Sequence, residues 1–378
     1  MNVTWDQVYS QFQVKTLILK VANRCNLACT YCYWFQDKTA FSKPSVMPVD
    51  VEDVLLAKLG DYIISSGVDC FTLALHGGEP MLLGLKRTKA LLEKIRTLSI
   101  DTSVPIRTSI QTNGTLITRD WCETFKTYNV SLGISIDGPK EVHDSSRRDF
   151  KGCGSFDKII KGLKLLRDND VPFGILSVCD PASDPEIALK FFFEELNLIG
   201  LDILIPDITH DEKPQNISNY YKRLFDVWVS KYANEGRRIR FFENIISSIL
   251  GKGSRVETIG YSVNNIVTID SDGEIMLLDT LKICKGFEPS LGLNVLTNSI
   301  EDIYDSDAYK EILREALTLN SKCISCQFNI SCGGGYLPHR WNSKTNNFRN
   351  PSVYCEDLLT TMSHIKSFME SDLEIETI

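Results

Sequence analysis

The sequence predicts an α/β protein: a parallel sheet curled into a partial (β/α)6 TIM barrel, followed by a smaller C-terminal domain. Two observations predict it. Six short β-like runs alternate with amphipathic helical runs over the first two-thirds of the chain. Serial β/α units of this kind make parallel strands joined by right-handed crossovers. From about Pro206 to Gly260 the strand signal stops, and a hairpin pattern, one helix and a loop-rich tail with four cysteines follow.

The strand candidates are Val14–Val21, Phe71–Leu75, Ile106–Gln111, Val130–Ile136, Phe173–Val178 and Leu201–Ile205. Between them, Asp50 is placed to cap a helix running through Ser65, with Glu52 and Asp53 in its first turn. Thr118 is placed to cap a helix carrying Trp121 and Phe125, and Ser155 one with Phe156, Ile160 and Leu163 on one face. Asp184-Pro185 starts Glu186–Leu196. Two helical runs, Ile217–Ala233 and Phe241–Leu250, then replace the strand signal. Asn264–Leu278 reads as a hairpin about the turn Asp270-Ser271-Asp272-Gly273. Ser299–Leu317 is helical and the rest is loop. The division expected is a barrel over residues 10–210, a helical bridge over 211–260 and a C-terminal domain over 261–378.

Composition bounds the function. The 378 residues are 43% hydrophobic and 24% charged, a balance that fills a full core. The net charge of −8 argues against a general nucleic-acid or anionic-membrane binder. Apolar runs fall short of a membrane span. Met1-Asn2-Val3-Thr4-Trp5-Asp6 has no basic or apolar signal-peptide region. Twelve cysteines without a targeting signal read as reduced thiols and metal ligands, which places the protein in the cytoplasm.

Three of those cysteines carry most of the functional information. Cys25, Cys29 and Cys32 are spaced C-x3-C-x2-C on the loop after the first strand. Sites in such barrels gather at the C-terminal ends of strands. Three thiolates can hold three irons of a [4Fe-4S] cluster and leave the fourth open, whereas four-thiolate sites mainly pass electrons. A structural zinc knuckle is the alternative, but no His or Cys follows Cys32 until Cys70. The spacing resembles that of the radical S-adenosylmethionine (SAM) enzymes. The resemblance implies that SAM chelates the open iron and is cleaved to a 5′-deoxyadenosyl radical, with flavodoxin or ferredoxin as the electron donor.

Further strand ends fit that family. His76-Gly77-Gly78-Glu79-Pro80 matches its Gly-Gly-Glu turn, which holds the amino group of SAM. Glycines there let backbone approach a ligand. The third strand ends in Gln111-Thr112-Asn113 and the fourth in Ser135-Ile136-Asp137, groups suited to ribose hydroxyls and the SAM carboxylate. Val142-His143-Asp144, Arg147 and Gly152-Cys153-Gly154-Ser155-Phe156 resemble the branch that modifies peptides and proteins, including anaerobic sulfatase maturases. Arg147 suits a fork for the SAM carboxylate. His143 is either a site residue or a satisfied loop histidine. Tyr31 is expected to pack on adenine, and Trp34 and Phe35 are core or shielding residues.

The tail reads Cys323-x2-Cys326-x5-Cys332, then Cys355. This resembles the SPASM domain and implies one complete auxiliary [4Fe-4S] cluster; a tetrahedral zinc site is the alternative. The family's second auxiliary cluster needs cysteines where this chain has Leu278 and Tyr336, so one cluster is expected. After Cys332 comes Gly333-Gly334-Gly335-Tyr336-Leu337-Pro338-His339-Arg340-Trp341. That run, with Asp279-Thr280-Leu281-Lys282, resembles the cyclophane-forming maturases of ribosomal peptides. His339 and Arg340 then bind a peptide carboxylate, tune the cluster or serve structure.

The function implied is a carbon–carbon cross-link, in a precursor peptide, between an aromatic ring and the β-carbon of a nearby residue. Asp279 is the expected base for the ring proton, because sulfatase maturases carry an aspartate so assigned at a matching place. The rival role is a turn aspartate. Alternatives on the same scaffold are formylglycine formation from Cys or Ser, peptide epimerisation and thioether formation; a non-catalytic metal scaffold is the alternative from another class. The short stretch before the first strand leaves no room for a fused leader-binding domain.

Overall fold

The computed structural model describes residues 13–36, 38–254, 256–261 and 266–376. Ten strands form one sheet in the order β10-β9-β8-β1-β2-β3-β4-β5-β6-β7. They are β1 Thr16–Ala22, β2 Phe71–Gly77, β3 Ile106–Thr112, β4 Ser131–Ser135, β5 Phe173–Val178, β6 Gly200–Leu204, β7 Arg238–Ile239, β8 Ile266–Ile269, β9 Glu274–Met276 and β10 Ser290–Asn294. From β8 through to β7 each neighbouring pair is parallel. β9 and β10 add an antiparallel margin. The linear order leaves β7 and β10 as edges, so the sheet is open.

The six predicted strands all form, and helices cover Val49–Ser66, Leu85–Thr102, Arg119–Thr127 and Phe156–Asp168 between them. Strand alternation explains the agreement: in β2, every second residue from Phe71 is buried. Asp184 caps its helix as expected, accepting from the Glu186 N–H. Asp50 does not cap; the helix starts one residue earlier, after Pro48.

Three later elements differ from the sequence reading. The hairpin of β8 and β9 continues the barrel sheet, because β8 pairs with β1. Val267 and Ile269 lie opposite Leu17 and Leu19, and all four are buried. Residues 264 and 265 of the expected hairpin lie outside the described residues. The bridge region contains β7, which pairs with β6. The expected helix Ser299–Leu317 breaks at Ser306, whose hydroxyl accepts from the Tyr309 N–H and caps Asp307–Leu317. The tail read as loop ends in a helix, Cys355–Glu376, which packs on the Ser218–Val227 helix. No helix among the described residues is long and apolar enough to cross a membrane.

Candidate active site

The C-terminal ends of the parallel strands lie on one side of the sheet, and the cysteine loop leaves β1 there. This loop is fixed from several sides. The Ala28 and Thr30 N–H groups donate to the Arg148 and Ser146 carbonyls, at 2.6 and 3.0 Å. Asn113 donates its side-chain amide to Asn26 at 2.9 Å and points the same group at the Cys25 Sγ, 3.8 Å away. The Leu27 N–H also reaches the Cys25 Sγ, at 3.3 Å. Burial pushes the Cys25 thiol up to about 12 and the Cys29 thiol up to about 11. As thiolates these groups require compensating positive charge.

Three cysteines on one loop are a donor set that an iron–sulfur cluster with one open iron can use. Among the described residues no three cysteine sulfurs lie within 4.8 Å of one another. A tetrahedral zinc site at about 2.3 Å per bond needs its sulfurs roughly 3.8 Å apart. Thiolates on separate irons of a cluster stand wider, so Cys25, Cys29 and Cys32 could hold the three irons.

The Gly-Gly turn closes onto the cysteine loop. A Cβ on Gly77, whose φ is +145°, would lie 1.9 Å from the Ala22 carbonyl oxygen. One on Gly78 would lie 2.5 Å from that of Arg24. The Gly78 and Glu79 N–H groups donate to those carbonyls. Both glycines are therefore required by contact with the chain itself. Glu79 also turns inward. Its buried carboxylate accepts from the Met81 N–H, the Thr112 hydroxyl and the Asn113 N–H, at 3.0, 2.7 and 2.9 Å. It thus ties the end of β2 to the end of β3.

At the neighbouring strand ends, Gln111 donates to the Ser135 hydroxyl at 2.8 Å. Arg147 differs from the expectation of a free fork. It grips Asp137 through Nε at 2.8 Å and Nη2 at 3.1 Å. Tyr31 donates its hydroxyl to Asp137 at 2.5 Å, and its ring lies under the Arg147 guanidinium, so the polar end faces protein. Asp137 further accepts from the Val178 N–H at 3.0 Å. Burial opposes its charge, but Arg147 holds its carboxyl below the usual range. His143 is the satisfied loop histidine. Its Nδ1 accepts from the Asp137 N–H, which leaves Nε2–H to the Ser155 hydroxyl at 2.9 Å. That hydroxyl goes on to Arg147's carbonyl, so Ser155 organises this loop and does not cap its helix.

Asp279 follows β9. Its Oδ2 accepts from Lys20 Nζ, in an ion pair, and from the Tyr33 hydroxyl at 2.6 Å. No described residue hydrogen-bonds to Oδ1. Burial alone would raise this carboxyl; Lys20 and His76 instead hold it at about 2. Lys20 touches His76 Nδ1 at 3.1 Å, and burial lowers both groups. Trp34 is core, 1% exposed, with the Lys20 and Lys282 ammonium groups each 4.1 Å from its ring centroid. The Phe35 side chain lies outside the described residues.

The sequence reading missed Lys20, Tyr33, His76 and Asp207. One signal was available: a lysine inside the apolar run Leu17-Ile18-Leu19-Lys20-Val21 of a strand buried on both faces needs a buried partner. Asp207, after β6, is raised to about 7 by burial and by the nearby charges of Asp279 and Glu257.

In the tail, Cys323, Cys326, Cys332 and Cys355 line one cavity of about 350 Å³ with Phe328, Leu358, Leu359 and Met362. Burial pushes Cys332 up to about 12. The three glycines after it all have left-handed φ, +61°, +84° and +80°. A Cβ on Gly333 would strike the Gly260 backbone at 2.3 Å. Four sulfurs lining one cavity could hold an iron–sulfur cluster. Leu278 and Tyr336 are buried. Leu278 shares an apolar cavity of about 50 Å³ with Leu277, Leu281, Ile312, Leu313 and Leu337. Arg340 is structural: it donates to the carbonyls of Glu315, Ala316, Thr318 and Phe348.

The family model described as the Radical SAM superfamily matches residues 19–189, from β1 past the Asp137–Arg147 pair. The chain is a radical SAM enzyme. Its cofactors are accordingly a [4Fe-4S] cluster and SAM. It is 28% identical to the cysteine-type anaerobic sulfatase-maturating enzyme of Clostridium perfringens, over 90% of this chain and 93% of the relative. The solved structure of native anSMEcpe with bound AdoMet superimposes with a TM-score of 0.83 at 24% identity, covering 94% and 98% of the two chains. Streptococcus suis SuiB bound to the precursor peptide SuiA gives 0.63 at 18% identity, covering 90% and 76%. These two structures share the radical SAM fold described above.

Proposed function

We propose that this radical SAM enzyme oxidises a side chain of a peptide or protein, beginning with removal of a β-hydrogen. Bound together, the cluster and SAM supply a 5′-deoxyadenosyl radical for that removal. Cys25, Cys29 and Cys32 hold the cluster. Gly77, Gly78 and Glu79 shape the turn beside it. Gln111, Asn113, Ser135 and the Tyr31–Asp137–Arg147 group frame SAM. Because Asp137 neutralises Arg147, that pair orients SAM as a dipole and not as a lone cation. Cys323, Cys326, Cys332 and Cys355 would hold the auxiliary cluster of a SPASM-like tail, and that cluster would take the electron left on the substrate after the β-hydrogen and the proton depart.

Asp279 takes the proton that the substrate sheds. The observation that carries this reading is its geometry: a buried carboxylate with both protein donors on Oδ2 and Oδ1 left for substrate. Lys20 and Tyr33 keep it ionised and fix its orientation. A carboxyl held at about 2 is a weak base. The proton it takes is one that a neighbouring radical centre has made far more acidic than in the intact side chain. Buried Trp34 shields the ion pair from water.

The reaction the relatives favour is formylglycine formation at a Cys or Ser. Similarity to the cysteine-type sulfatase maturase extends over nearly the full length of both chains. A second reading, cyclophane formation, is supported by one observation. Aliphatic packing around Leu278, together with buried Tyr336, occupies the places where a second auxiliary cluster would need thiols. The Gly-Gly-Gly-Tyr-Leu-Pro-His-Arg run adds to it. Mass spectrometry of Cys-, Ser- and aromatic-centred peptides after turnover separates the two. A Cys product that has exchanged sulfur for oxygen and also lost two hydrogens, or a Ser product two hydrogens lighter with no ring link, supports the first. A ring-linked product two hydrogens lighter supports the second. Failure of every peptide to react contradicts both.

A further inference from the structure

Four large apolar side chains stand exposed around Asn329 in the tail. Ile324 and Ile330 are 63% and 76% exposed, Leu250 55% and Tyr261 46%. Ile324 lies between Cys323 and Cys326 and Ile330 between Cys326 and Cys332, so both belong to the loops that line the cavity of the four cysteines. Hydrogen bonds draw the four together. Asn329 donates its side-chain amide to the Ile324 carbonyl at 3.0 Å and accepts from the Tyr261 hydroxyl at 2.7 Å. The Ser331 hydroxyl donates to the Ser248 carbonyl at 3.2 Å, which brings the end of the Arg240–Ile249 helix, and Leu250 after it, alongside. Exposed apolar side chains gathered in this way mark a contact site, whereas scattered ones need no explanation.

The charge of the patch says what it contacts. Its segments, 250–261 and 321–332, carry Lys252, Arg255 and Lys322 against Glu257. Counting Glu356, the exposed partner of Lys322, the balance stays positive in a chain of net charge −8. A surface pair of that kind is weak and leaves Lys322 open to a second acid.

We propose that this patch docks an acidic one-electron carrier protein, which takes from the auxiliary cluster the electron that each turnover leaves there. The inference rests on the peptide-oxidation reading above. In that reading the β-hydrogen goes to the 5′-deoxyadenosyl radical, a proton to Asp279 and one electron to the auxiliary cluster, which must be emptied before the next turnover. One electron then passes to the oxidised carrier, and no proton or bond moves with it. Asn329, at the centre of the patch, also lines the cysteine cavity, so a carrier seated there is close to the cluster. A small apolar centre with basic flanks suits the weak, charge-steered encounters that electron-transfer partners make.

Hydrogen exchange of the anaerobic holoenzyme, with and without oxidised acidic [2Fe-2S] ferredoxin, tests this. Backbone amides in 250–261 and 321–332 should be protected by ferredoxin at low salt and released at high salt, as screening requires. The double variant Ile324→Asp, Ile330→Asp and the single variant Lys252→Glu should each raise the ferredoxin concentration for half-protection roughly 10-fold or more. Ile187→Asp with Ile199→Asp, exposed apolar residues elsewhere, should leave it unchanged. In protein with Cys25, Cys29 and Cys32 changed to Ala, the pre-reduced auxiliary cluster should reduce ferredoxin, and the patch variants should slow that transfer by a like factor. Iron content of each variant shows that its clusters are intact. About eight irons without protection of these segments, or protection that the patch variants leave unchanged, overturns the docking surface. Protection that grows with enzyme concentration in the absence of ferredoxin makes the patch an interface between copies of this chain and also overturns it. A wild type with about four irons has no auxiliary cluster, so the electron route in the reading above fails and the surface falls with it.

Discussion

Lys20 and Asp279 form a buried ion pair that joins the middle of β1 to the turn after β9, 259 residues apart in sequence. Its two side chains are 0% and 3% exposed. The pair locks the hairpin margin of the sheet to the strand that launches the cysteine loop. Removing one partner leaves a buried charge without compensation. Lys20→Met should therefore destabilise the anaerobic holoprotein by roughly 3–5 kcal/mol. The double variant Lys20→Met, Asp279→Asn should recover much of that loss. Denaturant unfolding of all three proteins checks this, and a double variant less stable than Lys20→Met would contradict it.

Iron content tests the cluster assignment. Reconstituted protein should hold about eight irons, two clusters at four irons each. Changing Cys25, Cys29 and Cys32 together to Ala should leave about four, and changing Cys326 and Cys332 should leave the other four while loosening the tail, since metal binding and folding are coupled. Stoichiometric zinc, or about twelve irons in the wild type, contradicts the assignment.

Asp279→Asn keeps the shape of the side chain and removes its charge. The variant should still release 5′-deoxyadenosine and bind peptide. Modified peptide should fall roughly 10²–10⁴-fold, the usual worth of a positioned base. Product formation at the wild-type rate would make Asp279 a partner of Lys20 and nothing more.

Asp207 predicts a pH effect of definite sign. Its carboxyl is raised by burial, then by Asp279 and Glu257, to about 7 from an ordinary 3.8. Between those values the folded state holds more protons than the unfolded one, so stability falls as pH rises from about 4 to about 7. Asp207→Asn removes that loss. The variant should melt above wild type at pH 8 and lose the advantage near pH 4. A lower melting temperature at pH 8 would contradict the burial of this carboxylate beside like charges.

The barrel was legible because its strands are regular. Leu17, Leu19, Leu73, Leu75 and Ile134 recur at the spacing that a buried sheet requires, and the motifs at strand ends carry their own spacing. Other features depend on contacts distant in sequence. Nothing local shows that β8 will pair with β1, or that Arg147 will be taken by Asp137. The Cys355–Glu376 helix begins at a proposed ligand cysteine and lacks an apolar stripe strong enough to read. The two-residue β7 is below the length at which alternation means anything. Asp207 and His339 meet only because β6 and the tail fold together. The Gly-Gly turn was seen correctly as a close approach, but its nearest neighbour is the Ala22 and Arg24 backbone.

The central claim is that a β-hydrogen of a peptide residue is removed, and isotope transfer tests it most directly. A peptide that the holoenzyme modifies is prepared with deuterium only at the β-carbon of its reacting residue and incubated with SAM and reductant. The account predicts deuterium in the released 5′-deoxyadenosine, in step with modified peptide. Modified peptide accompanied by 5′-deoxyadenosine free of deuterium would contradict it.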